Sequence, residues 1–592
     1  MLLVEVSFEV GNKVGGIHTV LKTKARLMQH LFPEYLLIGY YDERKSPPEF
    51  EEESPPPWLE EIIAQVPGAD FHYGTWLVPG RPRAVLVRPT GMWNQLNEIK
   101  YYYWDWYRID SLRSDDWFNT PVLWSYVVGM FLRRLSEEKE IATIFHEWLS
   151  GGALLYLRKF APHVPTVFHT HATILGRTLA NAGVDIYSMI DEGNRRGEEA
   201  PIELAYKYGI EAKHLMERAS AQNTHVFTTV SSPTAVECKY MLGREPDYVL
   251  PNGLDMERVP PMEEISVMHT ENEKVITDFV RAFFGPYYDF DPSNYLYFFF
   301  SGRYDLRAKG LDVLIDALSI LNERLKGEHS EKGVVFFFWV AGPIYPPNPE
   351  VLDNLTKYRN IVNHVEKVLP HVRERIIADV TAGKLPASDL LSESFLYDLR
   401  RILYTFKGKR GRLPPISTHL CPSDDYIFRR LQEVGLLNRP DDRVKVVYYP
   451  AYLSPGDGLL GLSYLDAVTG THLGVFPSYY EPWGYTPLET AAMGVPAITT
   501  DVSGFGQYLR SIYGDWISAG SGILVLPRRN LDDTSFAEML ANTMHHILTM
   551  PRRERLEKKI EAKHMARNAS WENVINRYRI AVDLAVRRAS ES

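Results

Sequence analysis

Apolar residues along the chain gather in short runs that alternate with longer stretches of helical period, the pattern of βαβ units and parallel sheets. Runs at 2–8, 35–40, 84–88, 142–146, 166–171, 226–230 and 248–250 predict strands in the first half. Runs at 296–300, 334–341, 444–449, 473–477, 497–500 and 523–526 predict a second set. Two sheets follow. Pro251-Asn252-Gly253, and then a polar stretch containing Pro260-Pro261, mark the break between them. We therefore expect a first domain over 1–255, a second over 256–569 and a closing amphipathic helix over 570–592 that packs back on the first. The segment from about 348 to 430 is charged and helical in period, which reads as a helical insertion in the second domain. No short-period repeat is present, so a solenoid is not expected.

Composition narrows the function classes. A chain of 592 residues with 45% hydrophobic and 24% charged residues is too long for a single small core and too apolar for disorder. A formal net charge of −10 is the wrong sign for general binding to nucleic acid or an anionic membrane, so an anionic ligand must meet a local basic pocket. Two cysteines, Cys238 and Cys421, exclude a disulfide framework and suit a reducing cytoplasm. The apolar run at 334–342 is too short to cross a bilayer, and the first ten residues lack a basic leader. An aromatic content of 12% fits a ligand with flat faces such as a sugar or base, and fits plain core packing equally.

The most informative stretch reads GVFPSYYEPWGYTPLETAAMGVP, from Gly474 to Pro496. A buried strand enters a rigid aromatic loop carrying Tyr480, Glu481 and Gly484, and Thr486-Pro487-Leu488-Glu489 predicts a capping box that opens a helix. Such a loop lies at the carboxyl end of a parallel strand, where open α/β sheets bind ligands. Capping accounts for Glu489; it does not explain the setting of Glu481. A second loop, Gly302 to Gly310, carries Arg303 and Lys309 beside a predicted helix start, where cations are disfavoured unless an anion such as a diphosphate offsets them. Arg307 in the same loop reads as facing water. Lys13-Val14-Gly15-Gly16 lets backbone approach a ligand after the first strand, a weak signal alone. His169 and His171 share one face of a strand end, followed by Gly176-Arg177, and read as hydrogen-bonding residues rather than a metal pair. Phe145-His146-Glu147-Trp148 suits a cleft wall.

These motifs, with Glu5 to Ile17, Thr170-His171-Ala172-Thr173, Pro251-Asn252-Gly253, Gly302-Arg303 and Val502 to Gly506, resemble the glycogen synthases of animal and fungal type, glycosyltransferase family 3. The resemblance covers nearly the whole chain. Spaced glutamates like Glu481 and Glu489 occur in many retaining glycosyltransferases, whereas the run His472 to Pro487 is specific to this family. The resemblance implies an α/β GT-B fold, two Rossmann-like domains facing a cleft, and retaining transfer from UDP-glucose to the non-reducing 4-hydroxyl of glycogen or another α-1,4-glucan. It implies Glu481, Arg303 and Lys309 as catalytic residues, with no metal and no cofactor. Tyr464 would stack on uracil and Glu489 would bond the ribose. Tyr480 and the amides of Gly484, Tyr485 and Thr486 would approach glucose and phosphate. Lys13, Gly15, Gly16, His171, Arg177 and Asn252 would complete the donor pocket.

The family also implies a homo-oligomer, a tetramer assembled through the helical insertion, and no nucleic-acid or membrane partner. Relatives carry phosphorylated tails, and control of that kind is not expected from this sequence. They bind glucose 6-phosphate through an arginine-rich helix, which maps to Arg552, Arg553, Arg555 and Lys559, and His269 joins these as a candidate allosteric residue. Glu554, Glu557 and Glu561 dilute that cluster, and Glu554 with Lys558 is an (i, i+4) pair of a solvated helix, so sugar-phosphate activation is not expected. The alternatives are another retaining GT-B transferase, either ADP-glucose-dependent or of sucrose- or trehalose-phosphate type, and a non-catalytic glucan-binding scaffold.

Overall fold

A computed structural model describes residues 1–386, 390–514 and 521–591. Among the described residues, fifteen strands form two sheets. The first contains β1 (Leu2–Val6), β2 (Tyr35–Tyr40), β3 (Phe50–Glu52), β4 (Asp70–Trp76), β5 (Arg83–Arg88), β6 (Ile141–His146), β7 (Thr166–Thr170), β8 (Val226–Thr229) and β9 (Tyr248–Val249). The second contains β10 (Tyr295–Arg303), β11 (Gly333–Ala341), β12 (Val444–Tyr449), β13 (Leu473–Val475), β14 (Ala497–Thr500) and β15 (Ile523–Leu526). Central strands such as β11 are continuous runs of Val and Phe because helices cover both faces of a parallel sheet, leaving no polar side.

The first sheet runs β3-β4-β5-β2-β1-β6-β7-β8-β9, and the second β12-β11-β10-β13-β14-β15. In chain order the second is the 3-2-1-4-5-6 winding, parallel throughout. In the first, β3 and β4 add an antiparallel edge to β5. The hydrophobic runs did not reveal this edge: β3 is a three-residue strand, and only the last three positions of β4 are buried. The parallel part of each sheet reverses its strand order once, between β1 and β6 and between β10 and β13. Ligand sites in such sheets lie at these reversals, outside the carboxyl ends of the strands.

The helical insertion lies between β11 and β12 as a long helix, Pro349–Thr381, and a second, Glu393–Phe406. The second helix buries only Phe395, which stacks on His364, and Tyr397, Leu403 and Tyr404 stand exposed. At the other end of the chain, the helix Asn576–Glu591 places Tyr578, Ala581, Val582 and Ala585 in one cluster with Leu3, Leu37, Val167 and Val226 of the first sheet. The return crossing runs beside the outward one: Leu254 N–H donates to Ala569 O (2.8 Å), and Trp571 N–H donates to Leu254 O (3.1 Å). Gly253 lies against Trp571, where a β-carbon would stand 2.5 Å from the indole. Trp571 is fully buried and its Nε1–H donates to Thr23 Oγ1 at 2.8 Å.

Because this indole anchors both crossings, Trp571→Ala should destabilise the protein by about 3–5 kcal/mol in urea unfolding, the usual cost of emptying so large a site. A loss below about 1 kcal/mol would show that the crossings are held elsewhere.

Candidate active site

At the reversal of the second sheet, the loops after β10 and β13 are joined by three contacts. Ala308 O accepts from the Tyr479 and Tyr480 amides at 2.9 and 3.0 Å. Gly310, at φ +68°, sits where a β-carbon would meet Pro477 O at 2.0 Å, so only glycine permits this approach. Lys309 Nζ donates to Glu481 Oε2 at 2.5 Å, and Ser478 Oγ donates to the same oxygen at 3.1 Å. Arg303 is 69% exposed, with Asp305 at 3.8 Å. Arg307 does not simply face water: it pairs with Asp312 (2.9 Å) and Asp533 (2.7 Å) and lies over the Tyr479 ring. Those carboxylates occupy Arg307, whereas Arg303 keeps its fork open at the rim.

The expected capping box does not form. Gly484, at φ +114°, is the N-cap of the helix Tyr485–Ala492, and no side chain caps it. Backbone contacts hold the loop: Gly504 N–H donates to Glu481 O (2.9 Å), Phe505 N–H donates to Trp483 O (2.8 Å), and a β-carbon at Gly504 would meet Pro482 O at 2.0 Å. The first amides of this helix are thereby left for a ligand. Glu489 is released from capping, and burial alone pushes its carboxyl up to about 7. The Tyr464 hydroxyl is buried without a hydrogen-bond partner, and Tyr485 Oη donates to Gly253 O (3.1 Å) at the domain crossing.

Across from these loops, the first sheet presents the ends of β1, β6 and β7. Glu9 gathers the glycine loop, accepting from the Gly15 amide at 2.7 Å and the His18 amide at 3.0 Å. Lys13 and Gly16 stand exposed on that loop, with open space beside Gly16. Glu147, at φ +63°, accepts from the His171 amide (2.8 Å) and the Ala172 amide (3.3 Å). A non-glycine residue in the left-handed region is strained, and such strain concentrates at functional sites. Glu237 accepts from Thr173 Oγ1 and from Tyr480 Oη at 2.8 Å, and Glu217 accepts from Thr170 Oγ1 at 2.9 Å. Burial pushes Glu147 and Glu237 up to about 7 and Glu217 well above the carboxylate range, with Arg177 opposing the shift at Glu147 and Glu237. Asn252 is buried with its Oδ1 unpartnered.

Tyr480 thus links the two halves: it precedes Glu481 in the loop after β13 and donates to Glu237 on the helix Ser232–Leu242 that follows β8. Tyr187 Oη adds a bond to Tyr479 O (2.5 Å), and Arg529 pairs with Asp191 (2.5 Å). The sequence reading missed Glu9, Glu217 and Glu237 as partners of the site. Their only signal was a carboxylate within an otherwise apolar or helical run, which solvated residues share.

The glycogen synthase family model matches residues 5–592. The chain belongs to the glycogen synthase family. It is 38% identical to the glycogen [starch] synthase of Neurospora crassa over 99% of this chain and 84% of that protein. It is 36% identical to isoform 2 of Saccharomyces cerevisiae (99% and 86%) and 34% identical to the enzyme of Caenorhabditis elegans (99% and 88%). Among solved structures, the catalytic domain of Arabidopsis thaliana starch synthase IV, bound to ADP and acarbose, superposes with a TM-score of 0.53 at 13% identity, covering 100% of this chain and 99% of that one. The fold is GT-B, and the activity of this glycogen synthase chain is glucosyl transfer.

A separate cavity of about 890 Å³ lies away from Glu481, lined among others by His269, Glu273, His472, Arg552, Arg555 and Lys559. Arg553 is not part of its lining: it is 93% exposed and pairs with Glu557 at 3.4 Å. Glu273 Oε1 lies 3.2 Å from His472 Nε2, and its Oε2 lies 3.5 Å from His269 Nε2. Burial opposes ionisation of Glu273, but His472, His269 and Lys559 prevail and bring it down to about 2. Burial brings Lys559 down to about 8 and His269 to about 4. His269, Glu273 and His472 lie close enough to suggest a metal site. However, His472 Nδ1 accepts the Tyr297 amide at 3.0 Å, so its Nε2 carries the proton donated to Glu273 and has no lone pair for a cation.

The raised Glu489 carboxyl predicts a pH-dependent stability. A group whose pKa is higher folded than unfolded supports the fold below its unfolded pKa and loses that support as pH rises through about 7. Glu489→Gln should therefore raise the stability of the unliganded glycogen synthase by roughly 1–3 kcal/mol at pH 8, with the gain vanishing toward pH 4.5. Urea unfolding across that range checks this; an equal gain at every pH would contradict it.

Proposed function

We propose that this glycogen synthase transfers glucose from UDP-glucose to the non-reducing 4-hydroxyl of an α-1,4-glucan with retention of configuration. The reading rests above all on Glu481, held by Lys309 and Ser478 beside an uncapped helix N-terminus at the strand-order reversal. As the glucosyl–phosphate bond stretches, positive charge grows on the sugar and negative charge on the departing diphosphate. Glu481 favours the first, and Arg303, Lys309 and the helix amides favour the second. Phosphate oxygens arriving at Lys309 compete with Glu481 for the ammonium and free the carboxylate toward the sugar. Tyr464 and Glu489 hold the nucleoside, while Lys13, Gly15, Gly16, His171 and Arg177 close the pocket from the first sheet. With two basic side chains on the diphosphate, the reaction runs without a metal.

The division into 1–255, 256–569 and 570–592 belongs to the same proposal, the first two parts closing on each other across the cleft. The exposed apolar side chains of the insertion helices support assembly as a homotetramer, in the cytoplasm. Among the described residues no helix is long and apolar enough to cross a membrane. Glu273 already occupies the cation cluster of the separate cavity, so we expect full activity without a sugar phosphate.

Purified protein incubated with glycogen and UDP-glucose should release UDP and lengthen the glucan, equally well with EDTA, and faster than with ADP-glucose. Transfer from neither donor would contradict the reading, and loss with EDTA would contradict its metal-free chemistry. Adding glucose 6-phosphate should leave the rate nearly unchanged; stimulation beyond about fivefold, the lower range of allosteric couplings, would overturn the reading of Glu273.

A further inference from the structure

Between β1, β6 and β7 runs a chain of buried polar side chains that ends at His171 of the proposed donor pocket and that, His171 apart, the transfer reaction does not itself use. Glu5, Lys24 and His146 are 0%, 0% and 1% exposed. The Glu5 carboxylate accepts from three donors: Lys24 Nζ, Tyr35 Oη, and His146 Nε2 at 2.6 Å. Lys24 also lies 3.9 Å from the centroid of the Tyr578 ring on the returning helix. At the far end, His146 Nδ1 is 2.9 Å from His171 Nε2, with the two rings stacked at 5.2 Å and 22°. His169, bonded to Thr228 Oγ1 at 2.9 Å, packs edge-on against His171.

The proton positions follow from the chemistry of the groups. Burial opposes ionisation of Glu5, but Lys24 and His146 outweigh it and keep its pKa well below the usual carboxylate range. Burial holds His146, His169 and His171 below the usual imidazole range, so all three rings are neutral at pH 7. An ionised carboxylate only accepts, so His146 Nε2 must carry the hydrogen. Its Nδ1 is then a lone pair, and His171 Nε2 must be the donor to it. His171 Nδ1 is left as a lone pair, on a half-buried ring that lies in the proposed donor pocket.

We infer that Glu5 and His146 are positioning residues that lock His171 in one tautomer and present its Nδ1 as a hydrogen-bond acceptor for a hydroxyl of the transferred sugar. The inference rests on the donor site proposed above. An outer partner that fixes a histidine's tautomer and ring plane commonly changes function by about ten- to a hundredfold when removed.

The test pairs two measurements on full-length protein. In ¹⁵N-histidine spectra, with His171 assigned by its loss in His171→Gln, the wild type should show Nδ1 unprotonated and Nε2 protonated. His146→Phe should show the two forms averaged. With UDP-glucose, His146→Phe should lower kcat about ten- to a hundredfold while KM changes little. The loss should vanish with the one deoxyglucose donor that lacks the hydroxyl bound by His171. His146→Gln, which keeps a donor for Glu5 and an acceptor for His171, should restore most of the rate; Glu5→Gln, which strands Lys24, is expected to unfold and is not relied on. An unchanged tautomer or an unchanged kcat in His146→Phe would overturn the relay. The spectra read the tautomer even in a protein that transfers nothing, so failure of the donor reading is distinguishable from failure of the relay.

Discussion

The short contact between Lys309 and Glu481 is the constraint on which the cleft depends. It joins the loops after β10 and β13, neighbouring strands whose chain connections run in opposite directions. Neither loop is positioned by the pair alone: Ala308 O anchors two amides of the aromatic loop, and Gly310 lets it approach Pro477. The backbone contacts set the distance, and the charges fill it. An ammonium placed on one carboxylate in this way is available to an arriving phosphate at little cost, because one ionic partner is exchanged for another.

The same logic explains how a chain of net charge −10 holds an anion. Arg307 and Arg529 are occupied by Asp312, Asp533 and Asp191. Arg303, Lys13 and Arg177 have no carboxylate within hydrogen-bond distance among the described residues, and they are the cations proposed to meet the phosphates. Behind Arg177, burial pushes Glu147 and Glu237 up to about 7 and Glu217 well above the usual carboxylate range, which keeps that wall partly protonated and limits its repulsion of the donor. In the second cavity the balance is reversed, with the ionised Glu273 set among the cations.

Much of this was legible in the sequence because it lies in strand-loop-helix units of strong pattern. The runs that became β10 to β15 differ from the observed strands by at most three residues at either end, and the loops carrying Arg303, Lys309 and Glu481 do emerge at carboxyl strand ends. What escaped had a local signal pointing elsewhere. Thr486 and Glu489 have capping-box spacing, yet tertiary packing starts the helix at Gly484. β3 and β4 lack a buried run. Glu217 and Glu237 act on residues far along the chain, beyond the reach of any spacing rule, and Glu9 bonds amides six and nine residues on, for which no short motif exists. His146, read only as cleft wall, acquired its partners Glu5 and His171 from β-sheet register.

The central claim is that Glu481 stabilises the transferring glucosyl group rather than merely neutralising Lys309. Glu481→Gln separates the two: it keeps the shape and a hydrogen-bond acceptor for Lys309 but removes the charge. The account predicts that UDP binding, followed by calorimetry, stays within a few-fold of wild type while glucosyl transfer to glycogen falls by roughly a thousandfold. A variant that binds UDP and transfers glucose at the wild-type rate would contradict it.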